Sequence, residues 1–203
     1  MYHCSGQDYP ICSLTEIQAK LADGVRQWID ANEVSKRKEN RLRYRSIPGP
    51  KFSLRLRLLR RLQRFRPALK YEEYLNGMVL RTGARWWCLS NSAIQHICNY
   101  MDENESVWHA FKDAHISEEF LFQTLVFNGI YRENIQNTPT YTPWHSPTLN
   151  IQHCDVKDAK HQGKYILARK FNASANKELY DAVDKSICSD KDTDFSSSHN
   201  ERS

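Results

Sequence analysis

An acidic pair placed directly before an apolar run constrains the fold of this chain more than any other feature. Glu118 and Glu119 follow Ser117. The apolar residues behind them recur with the spacing of one helix face: Leu121, Phe122, Leu125 and Val126. Ser117 is a suitable N-cap, because its hydroxyl can accept a hydrogen bond from a free backbone N–H. The sequence therefore predicts a helix that begins at Ser117 and ends at Asn128–Gly129, with both carboxylates in the first turn, where the helix dipole favours negative charge.

Composition indicates a folded protein with one locally basic surface. The chain has 203 residues, of which 40% are hydrophobic, and most of its net charge of +5 comes from one segment. No apolar run approaches the roughly 20 residues that a membrane-spanning helix needs, and no signal-peptide pattern is visible. Six cysteines without a C-x-x-C pair indicate reduced thiols, and hence a cytoplasmic location: Cys4, Cys12, Cys88, Cys98, Cys154 and Cys188.

Local signals predict several helices and strands along the chain. Ser13 and Glu16 form a capping-box pair, which predicts a helix to about residues 23–24. Ser90 or Ser92 caps a second predicted helix. Strands are predicted over 25–29 and 86–89, a strand or short turn over 164–171, and a last helix over 176–187. The basic segment 35–44 is expected to be a solvated loop, and residues 189–203 a disordered polar tail.

A basic amphipathic helix is predicted over Lys51–Lys70, inside an insertion at about 48–72. Its apolar residues follow a helical period: Leu54, Leu58, Leu62, Phe65 and Leu69. Six arginines fill most of the remaining positions: Arg55, Arg57, Arg60, Arg61, Arg64 and Arg66. Such a helix can pack on the domain with its basic side in water, or lie on an anionic membrane surface. Nucleic acid is not expected as a partner, because aromatic interleaving and known binding motifs are lacking.

Four motifs occur in an order and spacing that resemble one enzyme family. They are Ser-Gly-Gln-Asp-Tyr-Pro-Ile at 5–11, Gly-Ala-Arg-Trp-Trp-Cys-Leu-Ser at 83–90, Ser-Glu-Glu-Phe at 117–120 and Leu-Ala-Arg-Lys-Phe at 167–171. With them the chain resembles the core-2/I-branching β-1,6-N-acetylglucosaminyltransferases and peptide O-xylosyltransferases of glycosyltransferase family 14. The resemblance extends from about residue 4 to 187, and the basic insertion is similar to that of bacterial members.

The resemblance implies both a fold and a reaction. The expected fold is α/β: the C-terminal portion of a GT-A-like domain over 1–188, with a mixed sheet flanked by helices and the basic helical insertion. The expected reaction transfers N-acetylglucosamine or xylose from a UDP-sugar to a hydroxyl of a glycan acceptor, with inversion and without a metal or other cofactor. A role in cell-surface polysaccharide synthesis follows, with the enzyme peripheral to the inner face of the membrane.

The resemblance also assigns roles to individual residues. The second carboxylate of the acidic pair, Glu119, corresponds to the catalytic base. Lys170 corresponds to a lysine that contacts the donor phosphates, and Arg169 is ranked below it because neighbours on a strand point to opposite faces. The residues expected at the acceptor are Arg41, Lys36 and Tyr44. From its residue type, Trp86 is expected either in the core or as a platform on which an acceptor sugar stacks. No metal ligand is assigned.

The sequence departs from the family pattern in three places. The family's second phosphate-binding arginine has no clear match in the loop after Trp144. Ala84 and Arg85 stand where the family has Ser and Gln after the glycine. The strand–helix half that holds uridine and ribose in the family has no counterpart before Ser5, so we expect a truncated enzyme with weak or no activity. The alternative function is a non-catalytic membrane-surface or interaction domain that uses the basic helix over 51–70.

Overall fold

The computed structural model describes residues 1–44, 53–62, 68–112, 114, 116–146, 149–172 and 177–197. The chain divides into two compact units. The first consists of Met1, Ile29–Arg85 and Leu89–Asn137, and the second of Tyr2–Trp28, Trp86–Cys88 and Thr138–Ser203. The predicted α/β class is confirmed, because short mixed sheets are flanked by helices.

The second unit contains two sets of short strands. The first set consists of β1 (Tyr2–His3), β3 (Gln27–Trp28) and β4 (Trp87–Cys88). Strand β4 lies between β1 and β3 and is antiparallel to both. The second set consists of β2 (Tyr9–Pro10), β6 (Thr140–Tyr141) and β7 (Leu167–Ala168). Strand β7 is central, antiparallel to β2 and parallel to β6. The second set is the mixed sheet, and the chain leaves β7 at Arg169 and Lys170.

Three helices cover the core of the second unit: α1 (Leu14–Leu21), α7 (His153–His161) and α8 (Lys177–Ser197). The predicted capping box at the start of α1 is confirmed, since Ser13 and Glu16 exchange both hydrogen bonds. The helices bury apolar residues from the first and the last of the unit's three stretches: Ile11, Cys12, Ile151, Val156, Ala159, Ala168, Phe171, Leu179 and Val183. Burial of these residues is the main favourable term for this unit.

The C-terminal helix is longer than we expect from the sequence. Helix α8 continues to Ser197, so it passes through the predicted boundary at residue 188 and into the segment expected to be disordered. Once a helix has formed, each further residue adds one backbone hydrogen bond, so extension is easier than initiation. The remainder of the predicted tail, 198–203, lies outside the described residues.

The first unit is mostly helical. Its helices are α2 (Lys36–Arg43), α3 (Leu54–Leu62), α4 (Asn91–Glu103), α5 (Glu105–Phe111) and α6 (Leu121–Asn128). Single 3-10 turns occupy Tyr71–Tyr74, Ser117–Glu119 and Arg132–Asn134, and β5 covers Ile135–Gln136. Ser90 caps α4 as predicted, because its hydroxyl accepts a hydrogen bond from the Ala93 amide at 3.1 Å.

Helix α2 occupies the segment that we expect to be a solvated loop, so that expectation is wrong. The Ser35 side chain accepts from the Lys38 amide at the start of the helix. Glu39 and Arg43 then form an ion pair one turn apart at 2.6 Å. Leu42 is buried, which anchors one face of this otherwise charged helix. A single buried leucine among charged residues is too weak a pattern to predict a helix from sequence.

The predicted basic helix over Lys51–Lys70 is described only in part, because residues 51–52 and 63–67 lie outside the described residues. Helix α3 falls inside the predicted range. Three of its leucines, at the spacing of one helix face, are exposed to solvent: Leu54, Leu58 and Leu62. These leucines therefore do not pack on the domain, which was the first of the two alternatives. No helix in the described part of the chain has both the length and the apolar character needed to cross a membrane.

Candidate active site

The acidic pair lies in a 3-10 turn rather than at the start of a helix. Ser117, Glu118 and Glu119 form this turn, and α6 begins two residues later without a side-chain cap. The predicted N-cap role of Ser117 and the first-turn position of the carboxylates are therefore wrong. The cause lies at Ile116, whose backbone is left-handed with φ of 62°. That conformation turns the chain just before Ser117, and the Phe120 amide then closes the turn onto the Ser117 carbonyl at 3.0 Å.

The Glu119 carboxylate is held by an arginine from helix α2. Arg41 Nη1 donates to Glu119 Oε2 at 3.1 Å, and both side chains are partly buried. The planar guanidinium fixes the direction of the carboxylate as well as compensating its charge. Arg41 was assigned to the acceptor by resemblance, and the structure brings it to the expected catalytic base.

The backbone of Glu119 is held as closely as its side chain. The Gly83 amide donates to the Glu119 carbonyl at 3.0 Å. Gly83 also lies so close to Asp30 that a Cβ atom on it would fall 1.9 Å from the Asp30 carbonyl oxygen. Any side chain at this position would push the backbone around Gly83 away from Asp30. The glycine of the Gly-Ala-Arg-Trp motif therefore allows the backbone that carries Glu119 to be anchored.

Two buried polar residues of α6 complete this anchoring, and the sequence analysis missed both. Gln123 donates to the Ala84 carbonyl at 2.9 Å, and Thr124 Oγ1 contacts both the amide and the carbonyl of Arg81. Gln123 and Thr124 are fully buried. A signal was present, because polar residues between apolar ones on a buried helix need internal hydrogen-bond partners.

The first carboxylate of the pair has a different partner. Arg85 Nη1 donates to Glu118 Oε1 at 3.1 Å, and both side chains are more exposed than the Arg41–Glu119 pair. Arg85 is one of the two positions that depart from the family pattern. The departure places a guanidinium against the turn that carries Glu119, through its contact with Glu118.

The two cations assigned to the donor phosphates have contrasting surroundings in the second unit. Arg169 is 3% exposed, pairs with the buried Asp8 at 3.3 Å and stacks on Trp86, with its guanidinium carbon 3.3 Å from the ring centre. This burial argues against Arg169 as a phosphate ligand. Lys170 is half-buried, and no side chain in the described part of the chain pairs with its ammonium group. Lys170 stays the predicted phosphate contact.

The other residues assigned to the acceptor are Lys36, Tyr44 and Trp86. Lys36 and Tyr44 lie at the two ends of α2 and are exposed. Trp86 belongs to the second unit, where its ring faces the Arg169 guanidinium. Their roles stay predictions. Among the His, Cys, Asp and Glu residues that the structure describes, no group of three is arranged to hold a metal ion.

Comparison with known proteins identifies the family. No curated protein matches the chain in sequence. The family model for the Core-2/I-Branching enzyme matches residues 3–179, which is most of the chain and includes all four motifs. The match also includes Arg41, Gly83 and Glu119, the residues that build the carboxylate site. The chain therefore belongs to the Core-2/I-Branching enzyme family, a family of glycosyltransferases.

Proposed function

We propose that this chain is an inverting, metal-independent glycosyltransferase of the GT-A type. It moves N-acetylglucosamine or xylose from a UDP-sugar to a hydroxyl of a glycan acceptor, in the synthesis of a cell-surface polysaccharide. The proposal depends on the way in which Glu119 is held. Arg41 orients its carboxylate, and the Gly83 amide anchors its backbone carbonyl.

Glu119 is proposed as the general base. The acceptor hydroxyl attacks the anomeric carbon from the side opposite the departing diphosphate. A bond forms between the acceptor oxygen and the anomeric carbon, and the bond from that carbon to the β-phosphate oxygen breaks. The hydroxyl proton passes to Glu119 as the new bond forms. The leaving group is UDP, and inversion of the anomeric centre follows from the single in-line displacement.

Lys170 is proposed to compensate the charge that develops on the departing UDP. A fixed cation near a leaving phosphate can supply the electrostatic stabilisation that many related reactions obtain from a metal. Lys170 lies two residues after the central strand of the mixed sheet, and its amide donates to the Leu149 carbonyl at 2.9 Å. The absence of a described anionic partner for its ammonium group is consistent with this role.

Product formation tests the proposal directly. The chain is incubated with UDP-N-acetylglucosamine or UDP-xylose and a panel of oligosaccharides with free primary hydroxyls, in the presence of EDTA. The assay accumulates product to an end point, because the expected rate is low. We expect a glycosylated oligosaccharide with inverted configuration, detected by mass spectrometry and NMR. No product from either donor with any acceptor would contradict the proposed function.

UDP binding tests the role of Lys170 separately. Calorimetric titration should give an affinity that falls about tenfold or more in Lys170→Ala, since a charge-assisted contact is lost. Lys157→Ala is the matched control, because Lys157 is an exposed lysine on α7 of the same unit. Equal affinities of the two variants for UDP would remove Lys170 from the donor site.

A second candidate function is attachment to an anionic membrane surface through α3. The exposed faces of this helix favour it: Leu54 is 79% exposed, and Arg55, Arg57 and Arg61 are exposed beside the leucines. An amphipathic helix of this kind can insert its leucines at the lipid boundary while the arginines contact acidic headgroups. We propose a cytoplasmic protein bound at the inner face of the membrane, either as the location of the enzyme or as a non-catalytic function.

Co-sedimentation with vesicles tests this attachment. Vesicles that contain phosphatidylglycerol should bind the chain, and vesicles of phosphatidylcholine alone should not. Leu58→Ser should weaken binding, whereas Leu14→Ser should not, because Leu14 is an equally exposed leucine on another helix. Equal binding of both variants would contradict a role for α3.

A further inference from the structure

Two arginines of the first unit stack on one phenylalanine ring. The Arg81 guanidinium carbon lies 3.7 Å from the centre of the Phe127 ring, and that of Arg132 lies 4.4 Å from the same centre. In the described part of the chain, no carboxylate forms an ion pair with either guanidinium, and no side-chain hydrogen bond of either is recorded. This Arg81–Phe127–Arg132 cluster therefore concentrates positive charge without a carboxylate partner among the residues that the structure describes.

Attractive and repulsive interactions oppose each other in this cluster. Stacking on the ring face attracts each cation to the π electrons of Phe127. The two like charges, however, repel each other. An oxyanion bound by both would remove this repulsion, and guanidinium groups offer the planar fork of donors that carboxylates, sulfates and phosphates accept. Arg132 is exposed, so the cluster is open to such a ligand.

Helix α6 and the segment bonded along it connect the cluster to the candidate active site. The segment from Val79 to Gly83 runs antiparallel along α6: Asn128 bonds Val79, Thr124 bonds Arg81, and the Glu119 carbonyl bonds Gly83. Helix α6 has eight residues, so its ends are roughly 12 Å apart. Glu119 precedes one end and Phe127 lies at the other. An oligosaccharide of a few sugars can span this distance.

We propose that the Arg81–Phe127–Arg132 cluster binds an anionic group on the acceptor, so that the acceptor is an acidic glycan rather than a neutral one. The inference rests on the proposed function for the identity of the ligand as an acceptor. The anionic group is a carboxylate, sulfate or phosphate attached to a sugar, all of which present the same pair of oxygens to a guanidinium fork.

Binding of small probes tests the inference. Calorimetric titrations compare a disaccharide that ends in glucose with matched disaccharides that carry glucuronic acid, a 6-sulfate or a 6-phosphate. We expect at least one charged disaccharide to bind about tenfold more tightly than the neutral one. Arg132→Gln should abolish most of this difference, and the preferred charged disaccharide identifies the anion. Arg132→Lys should restore only part of it, because lysine keeps the charge but not the planar fork.

Arg37→Gln is the matched control, since Arg37 is an exposed arginine of the same unit on α2. Equal losses in Arg37→Gln and Arg132→Gln would show only a diffuse charge effect and would overturn the inference. Inorganic phosphate that binds as tightly as every charged disaccharide would also overturn it. Thermal unfolding of each variant excludes loss of the fold as a cause.

The transfer assay separates this inference from the proposed function. Equal transfer to charged and neutral acceptors would overturn the inference and leave the proposed function intact. Binding of a charged disaccharide that depends on Arg132, in a chain that transfers no sugar, would overturn the proposed function and leave the anion site.

Discussion

At the residue scale, the central feature is the way in which one carboxylate is oriented. Arg41, which lies 78 positions before Glu119 in the chain, donates a hydrogen bond to the Glu119 carboxylate. The Gly83 amide holds the Glu119 backbone. A general base has to lie within hydrogen-bond reach of the proton it accepts, so a carboxylate with a fixed direction is more effective than a free one. Glu118, its neighbour, is directed to Arg85 instead. Adjacent identical side chains thus have different partners.

Gly83→Ala is expected to destabilise the first unit by at least about 2 kcal/mol, because the added methyl overlaps the Asp30 carbonyl and the backbone has to move. Urea unfolding measures the change. Gly6→Ala is the control, since a Cβ at Gly6 meets no atom within 4 Å. A Gly83→Ala variant as stable as Gly6→Ala would contradict the close packing described at this site.

The contact between Arg41 and Glu119 shows why the site was only partly predictable. Glu119 was assigned from a short motif that is contiguous in sequence. Its partner was assigned to the acceptor instead, because the separation between α2 and the acidic turn carries no periodic signal. Such a pair arises from tertiary packing, which local patterns do not encode.

At the scale of elements, helix α6 holds the segment from Val79 to Ala84 through polar side chains rather than apolar ones. Thr124 alone satisfies both backbone groups of Arg81, and Asn128 contacts both backbone groups of Val79. These contacts add to the single antiparallel bridge that the same segment forms between Thr82 and Asn32. The position of Glu119 therefore depends on α6 even though the acidic turn precedes the helix.

Thr124→Val tests this dependence. The substitution keeps the shape of the side chain but leaves the Arg81 amide and carbonyl without the hydroxyl, which costs about 1–3 kcal/mol. We expect lower stability in urea unfolding and faster hydrogen exchange at the Arg81 amide. Thr15→Val serves as the control, because Thr15 is exposed on α1. Unchanged hydrogen exchange at the Arg81 amide in Thr124→Val would contradict the role of Thr124 in holding this segment.

Elements that depend on local chemistry were predicted, and those that depend on a distant partner were not. The capping box at Ser13 and the Ser90 cap involve residues three positions apart, and both are present. Helix α2 has a single buried side chain, Leu42, and the charged residues around it predict only a loop. Ile116 adopts a left-handed conformation that is rare for a β-branched residue, and no sequence rule anticipates it.

At the scale of the molecule, the response to alkaline pH depends on how α8 is attached to the second unit. The Tyr9 hydroxyl donates to Asp184 of this helix at 2.8 Å, and that hydrogen bond raises the pKa of Tyr9 to about 12. Ionisation of Tyr9 would remove the donor and place a second negative charge beside Asp184. The neutral form is therefore favoured in the folded state.

The folded state should lose stability as the pH rises from about 10 towards about 12. A folded-state pKa above the unfolded value gives a contribution that is complete below the unfolded pKa and is lost as the pH rises through the folded one. Tyr9→Phe should reduce the slope of this part of the profile in urea unfolding across the pH series, while the raised pKa values of Tyr2, Tyr71 and Tyr141 leave some slope in place. Tyr180→Phe leaves the Tyr9–Asp184 bond in place and should keep the slope. A profile of Tyr9→Phe with the wild-type slope would contradict this assignment.

The whole account depends on Glu119 as the base, and one comparison of rates tests it most directly. UDP-sugar turnover is measured for the wild-type chain, Glu119→Gln and Glu118→Gln. Removal of a general base costs about 100-fold or more in rate. We predict such a loss for Glu119→Gln with UDP affinity unchanged, and a rate near wild type for Glu118→Gln. Turnover of Glu119→Gln at the wild-type rate, or an equal loss in both variants, would contradict the account.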